Sequence, residues 1–436
     1  MATPRVAVVG AGLAGLSATL DLVEMGYEVT IFERSRLLGG RATSFELAGR
    51  EVDNGQHVFL GCCTAFVEFA GRLKMGDRLH FQDRFEALVL DAGRAARLRA
   101  GVLPAPWHVA LSFLAYRHVA WWDRVAIARA LLDVRSAKTE GGTLAAWLAR
   151  HGQSRAAIRA FWEPFVVPAL NAPLAEIDAA QAAFVLETAF LSGAGAARFG
   201  WTTIPLARFA EAAARRAGDV QRASAVTAVE PAAASVMLRL ANGRVEHFDA
   251  VVLALPPPAL RRVLGEPGRF GIESLESYDA RPIVDVHVRH DAGDVGFSFA
   301  ALLGGAVQWV FAKEPGYACA SISAAGHTFR LRTAEIVERT WSEMRGAIPA
   351  LRGAHLLESA VTRNPDAAYL RRPGARAAGN ATAFANVALA GGWTEPLWPD
   401  TMEAAVRSGR TAAARLQRVL GAPEGRTMRP ADLHAV

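Results

Sequence analysis

The first thirty residues contain two short apolar runs separated by an amphipathic stretch. Residues 5–9 are mostly apolar, residues 13–24 carry apolar side chains at helical spacing, and residues 28–32 form a second apolar run. A glycine-rich turn joins the first run to the amphipathic stretch, and Glu33 follows the second run. This pattern predicts a strand, a helix and a second strand that lies parallel to the first.

Later hydrophobic patterns predict a hairpin, a buried strand and a mixed region. Residues 235–248 read as two strands around an Asn-Gly turn, and residues 251–255 form an apolar run that three prolines end. Between residues 266 and 380, strand-like runs alternate with a helix that begins at Thr333, whereas residues 62–204 have a mostly helical pattern. The chain therefore predicts an α/β protein in which a sheet carries helical cover.

The glycine-rich turn has the spacing of a dinucleotide-binding loop. Gly10 permits the tight turn, Gly12 lets the backbone approach a pyrophosphate, and Gly15 allows close packing of helix on strand. Unpaired N–H groups at the start of the helix attract phosphate, and Glu33 would bind an adenosine ribose. A tight turn without a nucleotide is the alternative. The residues that this interpretation assigns to a cofactor are Gly10, Gly12, Leu13, Ala14, Gly15, Glu33 and Arg34.

The next segment carries a family resemblance. The letters GGRA, residues 39–42, follow Glu33, and the letters DNGQHV, residues 53–58, come after them. Together they resemble the second FAD fingerprint of the amine oxidase and phytoene desaturase superfamily of flavoproteins. The resemblance implies that Arg41 lies along the FAD pyrophosphate and that the later segment runs beside the flavin ring, whereas a polar loop after a strand is the alternative. The residues that it assigns to FAD are Gly39, Gly40, Arg41, Gly55, Gln56, His57 and Val58, with Val226 covering the adenine.

Residues 387–409 resemble the C-terminal FAD motif of the same superfamily, a short strand that leads through a turn into a helix. The pattern predicts a helix that starts after Thr401, with Met402 in its first turn near the flavin. Where the family has Asp after Ala-Gly, this chain has Gly392, so a carboxylate that holds a ribityl hydroxyl is missing. The resemblance therefore predicts that Gly392→Asp strengthens FAD binding by about 1 kcal/mol, and it assigns Gly391, Gly392 and Met402 to the cofactor.

Both ends of the chain contribute to one nucleotide site in this interpretation, so the FAD-binding domain is expected to be discontinuous. We predict an α/β protein with a Rossmann-like, glutathione-reductase-like FAD-binding domain formed by residues 1–61, 205–265 and 381–436. Residues 62–204 and 266–380 would form a mixed sheet and helical substrate domain.

Composition narrows the classes of partner. The 436 residues are 52% hydrophobic and 21% charged, which is enough apolar material for two folded lobes. The formal net charge of +6 comes from scattered arginines without a basic stripe, so we expect no nucleic-acid partner. Three cysteines without metal-ligand spacing predict neither a metal site nor a disulfide framework. The first residues lack a signal-peptide pattern, so we expect a cytoplasmic protein.

Residues 102–135 combine apolar and basic side chains in an unusual way. The stretch is apolar from Val102 to Trp122, but prolines, histidines and Arg117 interrupt it, which argues against a membrane span. Its tryptophans and nearby arginines are typical of a helix that lies in a membrane interface. A buried pair of core helices is the alternative. On the first interpretation, the protein is peripheral on the inner face of the cytoplasmic membrane.

Three stretches and the overall length narrow the resemblance within the superfamily. VDNGQHVFLGC from residue 52, AFWEPFVVPALNAP from residue 160 and the C-terminal motif resemble the hydroxysqualene dehydroxylases of bacterial hopanoid synthesis. The resemblance implies reduction of hydroxysqualene, a C30 isoprenoid lipid, to squalene, with reduced FAD giving a hydride and water leaving. An acid must protonate the departing hydroxyl, and the candidates are Asp53, His57 and Glu395. The alternatives are that Asp53 caps a turn and that His57 is a hydrogen-bonded core histidine.

The sequence contains one GxGxxG pattern, so we expect an external electron donor and no second dinucleotide site in this chain. Two other functions share the fold. A carotenoid or phytoene-type desaturase takes a hydride from a similar isoprenoid, and a non-catalytic isoprenoid carrier has the architecture without redox chemistry. DNGQH in place of a desaturase-like DxGP favours the dehydroxylase, and complete flavin motifs argue against the carrier.

Overall fold

A computed structural model of the chain describes residues 3–47, 49–273 and 275–421. The ends of the predicted FAD-binding domain, residues 1–2 and 422–436, lie outside this range.

The strands of the described residues are numbered in chain order: β1 Arg5–Val9, β2 Glu28–Phe32, β3 Ser44–Leu47, β4 Arg50–Asp53, β5 Val58–Leu60, β6 Leu79–Phe81, β7 Glu86–Asp91, β8 Arg94–Arg99, β9 Phe199–Thr202, β10 Asp219–Gln221, β11 Val226–Pro231, β12 Val236–Leu240, β13 Val245–Phe248, β14 Ala250–Leu253, β15 Tyr278–His290, β16 Phe299–Leu302, β17 Trp309–Glu314, β18 Tyr317–Ile322, β19 Leu356–Arg371 and β20 Val387–Leu389.

The α-helices of the same residues are α1 Leu13–Glu24, α2 Thr64–Arg72, α3 Ala110–Leu114, α4 Trp121–Leu132, α5 Ala137–Glu140, α6 Leu144–Arg150, α7 Arg155–Ala157, α8 Glu163–Leu170, α9 Ala179–Leu186, α10 Leu206–Ala214, α11 Pro257–Leu264, α12 Thr333–Ala347 and α13 Met402–Leu420.

The first sheet has five parallel strands in the order β10, β2, β1, β14, β20. They come from three separate parts of the chain: β1 and β2 flank the glycine turn, β10 and β14 lie in the middle, and β20 precedes the last helix. The inner strands are buried on both faces, which is typical of a parallel sheet with cover on each side. Helices α1 and α13 pack on one face, and β11–β13 with α11 pack on the other.

The second sheet has seven strands in the order β19, β15, β18, β17, β16, β7, β8, and β16 pairs with β7 in parallel. Alternate side chains of β15, such as Val284 and Val286, are buried in one cluster with Ile336 and Met344 of α12. The opposite face carries Phe299, Phe311 and Trp309, which belong to a cluster with the helices of residues 144–186. One face of the second sheet therefore packs on α12, and the other faces the helices of residues 144–186.

Helix α2 follows the predicted domain boundary at residue 61 but packs with the first lobe. Phe66 and Phe69 are fully buried in the cluster that contains the apolar side chains of α1 and α13. The carboxylate of Glu403 accepts the backbone N–H groups of Ala65 and Phe66 at 3.1 and 2.9 Å, which caps the start of α2. By packing, this lobe extends through α2, because α2 buries its apolar face here.

The predicted local elements agree with the structure. Helix α13 begins at Met402, and Thr401 caps it by accepting the Ala404 N–H at 3.4 Å. Helix α12 begins at Thr333, and β12 and β13 form the hairpin whose turn contains Gly243 with a positive φ of 85°. These elements follow from adjacent residues, which explains why the sequence pattern predicted them.

Candidate active site

The glycine turn leaves open space at the start of α1. Gly10 has a φ of +103°, and a Cβ there would overlap the Ala254 carbonyl, so the turn requires glycine. A Cβ at Gly15 would overlap the Gly10 carbonyl, so Gly15 lets α1 pack against the turn. At Gly12, no described atom lies within 4 Å of the position of a Cβ. The helix start therefore faces free volume, as a phosphate-binding helix start does.

Glu33 lies beside the glycine turn at the end of β2. Its two carboxylate oxygens accept the N–H groups of Ala11 and Ser35 at 2.9 and 2.8 Å. Each oxygen has a second lone pair, so the carboxylate can also accept a ribose hydroxyl. The neighbouring Arg34 is exposed. The position of Glu33 is therefore compatible with its predicted role.

The two predicted fingerprints meet in the structure. Gly39 donates its N–H to the Ala11 carbonyl at 2.8 Å. A Cβ at Gly40 would lie 3.1 Å from the Cα of Gly12, and Gly39 and Gly40 have φ values of +96° and +60°. Glycine is needed at both positions because two backbone segments approach closely in a left-handed conformation.

Arg41 is held by Asp400, a contact that joins opposite ends of the chain. The two terminal nitrogens of Arg41 donate to the two carboxylate oxygens of Asp400 at 2.5 and 2.8 Å, and one of them also donates to the Ala367 carbonyl at 3.1 Å. Asp400 accepts the Tyr369 N–H at 2.9 Å as well. These contacts use three of the five N–H donors of Arg41, which leaves two for a phosphate.

The structure gives a reason to expect the opposite of the predicted effect of Gly392→Asp on FAD binding. A Cβ at residue 392 would overlap Oδ1 of Asp400 and lie 3.2 Å from the Thr401 carbonyl oxygen. Asp400 thus occupies the volume that a side chain at residue 392 would need, and its side chain is only 1% exposed. A second carboxylate would displace Asp400 from Arg41, so this change is expected to weaken the site.

Asp53 has a structural role as a cap. Its Oδ1 accepts the Ser44 hydroxyl at 2.6 Å and the Leu206 N–H at 2.8 Å, at the first residue of α10. A carboxylate that accepts a helix N-terminal N–H is a typical cap. This arrangement favours the capping alternative over a proton-donating role for Asp53.

His57 lies near Asp53 in the segment predicted to flank the flavin. Its Nε2 is 3.2 Å from the Asn54 carbonyl oxygen. Burial lowers the pKa of His57, Asp53 and the Asn54 carbonyl oppose this effect, and Lys313 and Arg41 add to it. With a pKa below its ordinary value, the imidazole is neutral at physiological pH, which makes it a poor acid there.

The third proposed acid, Glu395, belongs to a different group of charges. Burial raises the pKa of Glu395, Arg407 lowers it, and Glu403 raises it. Glu403 and Arg407 lie on α13 and form an ion pair at 2.7 Å. Glu395 therefore lies among the charges of the first turns of α13, whereas Asp53 and His57 share their surroundings with Lys313.

The remaining predicted cofactor residues lie around the same lobe. Val226 begins β11 and is buried, and Met402 begins α13 and packs against its core. Gly391 donates its N–H to the Ser408 hydroxyl at 2.9 Å. Val58 is different, because it pairs with Trp201 of β9 and so joins the predicted flavin-flanking segment to the aromatic part of the second lobe.

A buried polar cluster on the second sheet was not identified from the sequence. Asp285 and His287 of β15 are 1% and 4% exposed, and Cys319 of β18 is fully buried. Burial raises the pKa of Asp285 to about 6, although the Ser321 side chain and the Gln56 backbone act against the rise. The available signal was an Asp and a His at alternate positions of an otherwise apolar strand, PIVDVHVRH.

Aromatic side chains share a sheet face with this cluster. Asp285 lies opposite Ser321, and Ser321 lies opposite Trp309 on the next strand. Residues directly opposite each other project to the same face, and strands are about 4.8 Å apart, so the carboxyl and the indole lie on one face about 10 Å apart. The aromatic rings gathered around Trp309 are Phe165, Phe199, Phe299 and Phe311, with Trp201 against Phe299.

These features fit FAD. The free volume at Gly12 and the N-terminus of α1 suit a pyrophosphate, Glu33 suits a ribose, and Arg41 keeps two donors for phosphate. The segment of residues 55–58 connects this nucleotide lobe to the aromatic sheet face. The class that this Rossmann-like lobe and the adjoining polar and aromatic sheet face support is an FAD-dependent oxidoreductase.

Comparison with known proteins agrees with this class. Residues 13–417 match the family model described as flavin containing amine oxidoreductase, and the chain belongs to that family.

Two relatives and one solved structure illustrate the proteins to which this chain is similar. A hydroxysqualene dehydroxylase of Zymomonas mobilis is 27% identical over 430 residues, covering 93% of this chain and 97% of that protein. A probable zeta-carotene desaturase of Synechococcus elongatus is 23% identical over 471 residues, covering 94% and 98%. The cyclohexylamine oxidase of Brevibacterium oxydans is 17% identical, with a TM-score of 0.72 over 96% of this chain and all of that chain, which supports the shared fold.

Proposed function

We propose that this protein reduces hydroxysqualene to squalene with FAD. The observation that carries the proposal is the inner face of the second sheet, where the buried carboxyl of Asp285 shares the face with a cluster of aromatic rings. Such a face suits a long apolar substrate with a single polar group. The hydroxysqualene dehydroxylase relative, which is similar over nearly its whole length, supports the same substrate.

The reaction replaces an allylic C–O bond by a C–H bond. The substrate alcohol gains one proton on oxygen and one hydride on carbon, and one water leaves. Reduced FAD supplies the hydride when it is bound. The chain binds the isoprenoid, excludes water and delivers the proton, and the faces of aromatic rings such as Trp201 stabilise positive charge on the allylic carbon.

We also propose that the protein takes its substrate from a membrane surface. Nine of the fourteen exposed large apolar side chains in the described residues lie between residues 102 and 132. We call these nine the exposed apolar patch: Val102, Leu103, Trp107, Leu111, Leu114, Trp121, Trp122, Val125 and Leu132. A concentration of this kind marks an interaction surface, and tryptophan suits the boundary between lipid and water.

The charges near the patch favour an anionic bilayer. Arg117 and Arg129 are exposed among the apolar residues, and Asp123 is buried in a hydrogen bond with Ser154. Each basic residue near an anionic membrane contributes about 1 kcal/mol of attraction. No helix in residues 3–47, 49–273 and 275–421 is both long enough and apolar enough to cross a membrane. The proposal is therefore attachment to one leaflet.

Vesicle binding tests the membrane proposal. Trp121→Ser together with Trp122→Ser should lower the bound fraction on anionic vesicles in a sedimentation assay, with unchanged flavin absorbance, because two interfacial anchors are lost. Leu357→Ser is the matched control, since Leu357 is 57% exposed but lies outside the patch. Equal vesicle binding by the double variant and the control would refute the membrane surface.

Product analysis tests the reaction. Purified protein with reduced FAD should convert hydroxysqualene to squalene, and water is the other product. The electrons are expected from an external donor, so photoreduced flavin replaces it in the assay. A carotenoid-type desaturase is the alternative function, which the zeta-carotene desaturase relative supports. Desaturated product from zeta-carotene under oxidising conditions, without squalene from the alcohol, would favour that alternative. A flavin-free protein that binds isoprenoids would favour the carrier.

A further inference from the structure

Asp285 is a buried carboxyl on the face of β15 that points away from α12. Its neighbours Val284 and Val286 point to the other face and pack with α12. Asp285 itself is 1% exposed, and no basic side chain of the described residues is among the groups that shift its pKa. A carboxyl in this position is unusual, because burying an unpaired charge is costly.

The carboxyl lies directly against the segment predicted to flank the flavin ring. Gly55 has a φ of +101°, and a Cβ at Gly55 would lie 3.0 Å from Oδ2 of Asp285. The backbone of Gln56 acts as a hydrogen-bond donor toward the same carboxyl. Oδ1 is buried and has no hydrogen-bond partner among the described residues. Gly55 and Gln56 therefore lie against the carboxyl, and its Oδ1 remains available to a bound molecule.

The Ser321 side chain and the Gln56 backbone oppose the effect of burial on the pKa of Asp285, but burial dominates. Asp285 raises the pKa of Cys319, and burial raises the pKa of both Cys319 and Tyr317, so both groups stay neutral. Burial lowers the pKa of His287 to about 4, with Asp53 opposing, so this imidazole is also neutral at physiological pH. The titratable or polar groups that face this region are His57 and Asp53 from the flanking segment, Lys313 from β17, Tyr317, Cys319 and Ser321 from β18, His287 from β15 and Thr362 from β19.

We propose that Asp285 is the proton donor that protonates the departing hydroxyl of the substrate. This inference rests on the proposed dehydroxylation. The proton passes from the Asp285 carboxyl to the substrate oxygen, the C–O bond breaks with its electron pair on oxygen, and water leaves. Bound reduced FAD would supply the hydride for the C–H bond, and solvent returns a proton to Asp285.

Asp285 meets the requirements of a proton donor better than the three acids expected from the sequence. Asp53 is held as a helix cap by two donors, and His57 is neutral. Glu395 lies with the charges of α13. Burial raises the pKa of Asp285 to about 6, so a useful fraction of the carboxyl carries its proton near neutral pH.

The test compares Asp285→Asn and Asp285→Glu with a control on the same strand. Asp279→Asn is the control, because Asp279 is on β15 but bonds to Arg372 at the surface. Each photoreduced holoprotein is mixed without oxygen with hydroxysqualene, and squalene formation and flavin reoxidation are followed. Asp285→Asn should slow both by about a hundredfold or more, with normal flavin content. The wild-type rate should fall as pH rises above about 6, and Asp285→Glu should regain part of it.

The acetate ester of the same alcohol separates proton donation from general damage. Acetate leaves without full protonation, so Asp285→Asn should lower the reaction rate with the ester by about tenfold or less. Equal losses with alcohol and ester would overturn the proposal, as would an unchanged rate and pH profile with the alcohol.

A titration of the oxidised flavin spectrum separates this proposal from the proposed function. A carboxyl beside the flavin should shift the wild-type absorbance with a midpoint near pH 6, and Asp285→Asn should abolish the shift. If the shift depends on Asp285 but wild-type protein makes no squalene, the placement of Asp285 stands and the proposed reaction fails. If wild-type protein and Asp285→Asn both form squalene at the normal rate, and the absorbance shift persists in Asp285→Asn, the proposed reaction stands and the proton-donor role fails.

Discussion

Replacing Gly392 by Asp adds a carboxylate where the structure already holds one. A side chain at residue 392 would overlap the carboxylate of Asp400, which is paired with Arg41 and accepts the Tyr369 N–H. Backbone atoms also restrict the new side chain, because the Thr401 carbonyl oxygen lies 3.2 Å from the new Cβ. Asp400 must therefore turn away, and the Arg41 guanidinium must then be shared between two carboxylates.

The magnitude follows from the burial of the pair. Two carboxylates about 4 Å apart repel by about 4 kcal/mol at an effective dielectric constant near 20. Removing one partner of a buried ion pair costs about 3–5 kcal/mol of stability. The side chain of Arg41 is 34% exposed, so solvent screens part of both effects. We expect FAD affinity to fall by about 2 kcal/mol, which corresponds to a Kd about thirtyfold higher.

Titration of apoprotein with FAD, followed by quenching of flavin fluorescence, measures this change. Gly392→Ala adds the overlapping Cβ without a charge, so it separates the steric effect on FAD binding from the effect of the added carboxylate. The double variant Gly392→Asp with Asp400→Ala is the matched control, because it returns the site to one carboxylate and frees the volume that the new side chain needs. The double variant should bind FAD more tightly than the single one. Unchanged or tighter FAD binding by Gly392→Asp alone would refute the reasoning.

Three further predictions test single contacts. Gly12→Val should fold normally but lose FAD, because its side chain enters free volume at the helix start; normal flavin absorbance in this variant would contradict the assigned phosphate site. Asp53→Ala should lower the free energy of unfolding by about 1–2 kcal/mol, because the α10 cap is lost. Asp53→Asn keeps a hydrogen-bond acceptor and should keep most of the stability. Both variants should keep the wild-type pH profile of turnover, and an altered profile would restore Asp53 as an acid. Asp285→Asn should raise the free energy of unfolding much more at pH 7.5 than at pH 4. A carboxyl whose pKa is raised from 3.8 to about 6 on folding destabilises the fold progressively as pH rises from 3.8 to about 6, and the effect is complete above that. Two pKa units correspond to about 3 kcal/mol, and equal stability changes at both pH values would contradict the burial effect.

The sequence alone predicted those parts of the fold that adjacent residues determine. The βαβ unit follows from apolar runs and the glycine turn, and Thr401 marks the start of α13 because a cap and its helix lie within four residues. The hairpin at Gly243 is equally local. The need for glycine at residues 10 and 15 was predictable for the same reason, since the turn and the helix that require it are contiguous.

The tertiary structure decided which distant residues meet. Asp400 reaches Arg41 across 359 positions of sequence, and no local pattern shows that it fills the volume beside Gly392. Asp285 meets Gly55 only because the second sheet packs against the segment after β4. In the sequence Asp285 is one charged letter in an apolar strand. Its burial, its unpartnered oxygen and its raised pKa come from packing, because desolvation depends on every element that surrounds a group and not on its neighbours in the chain.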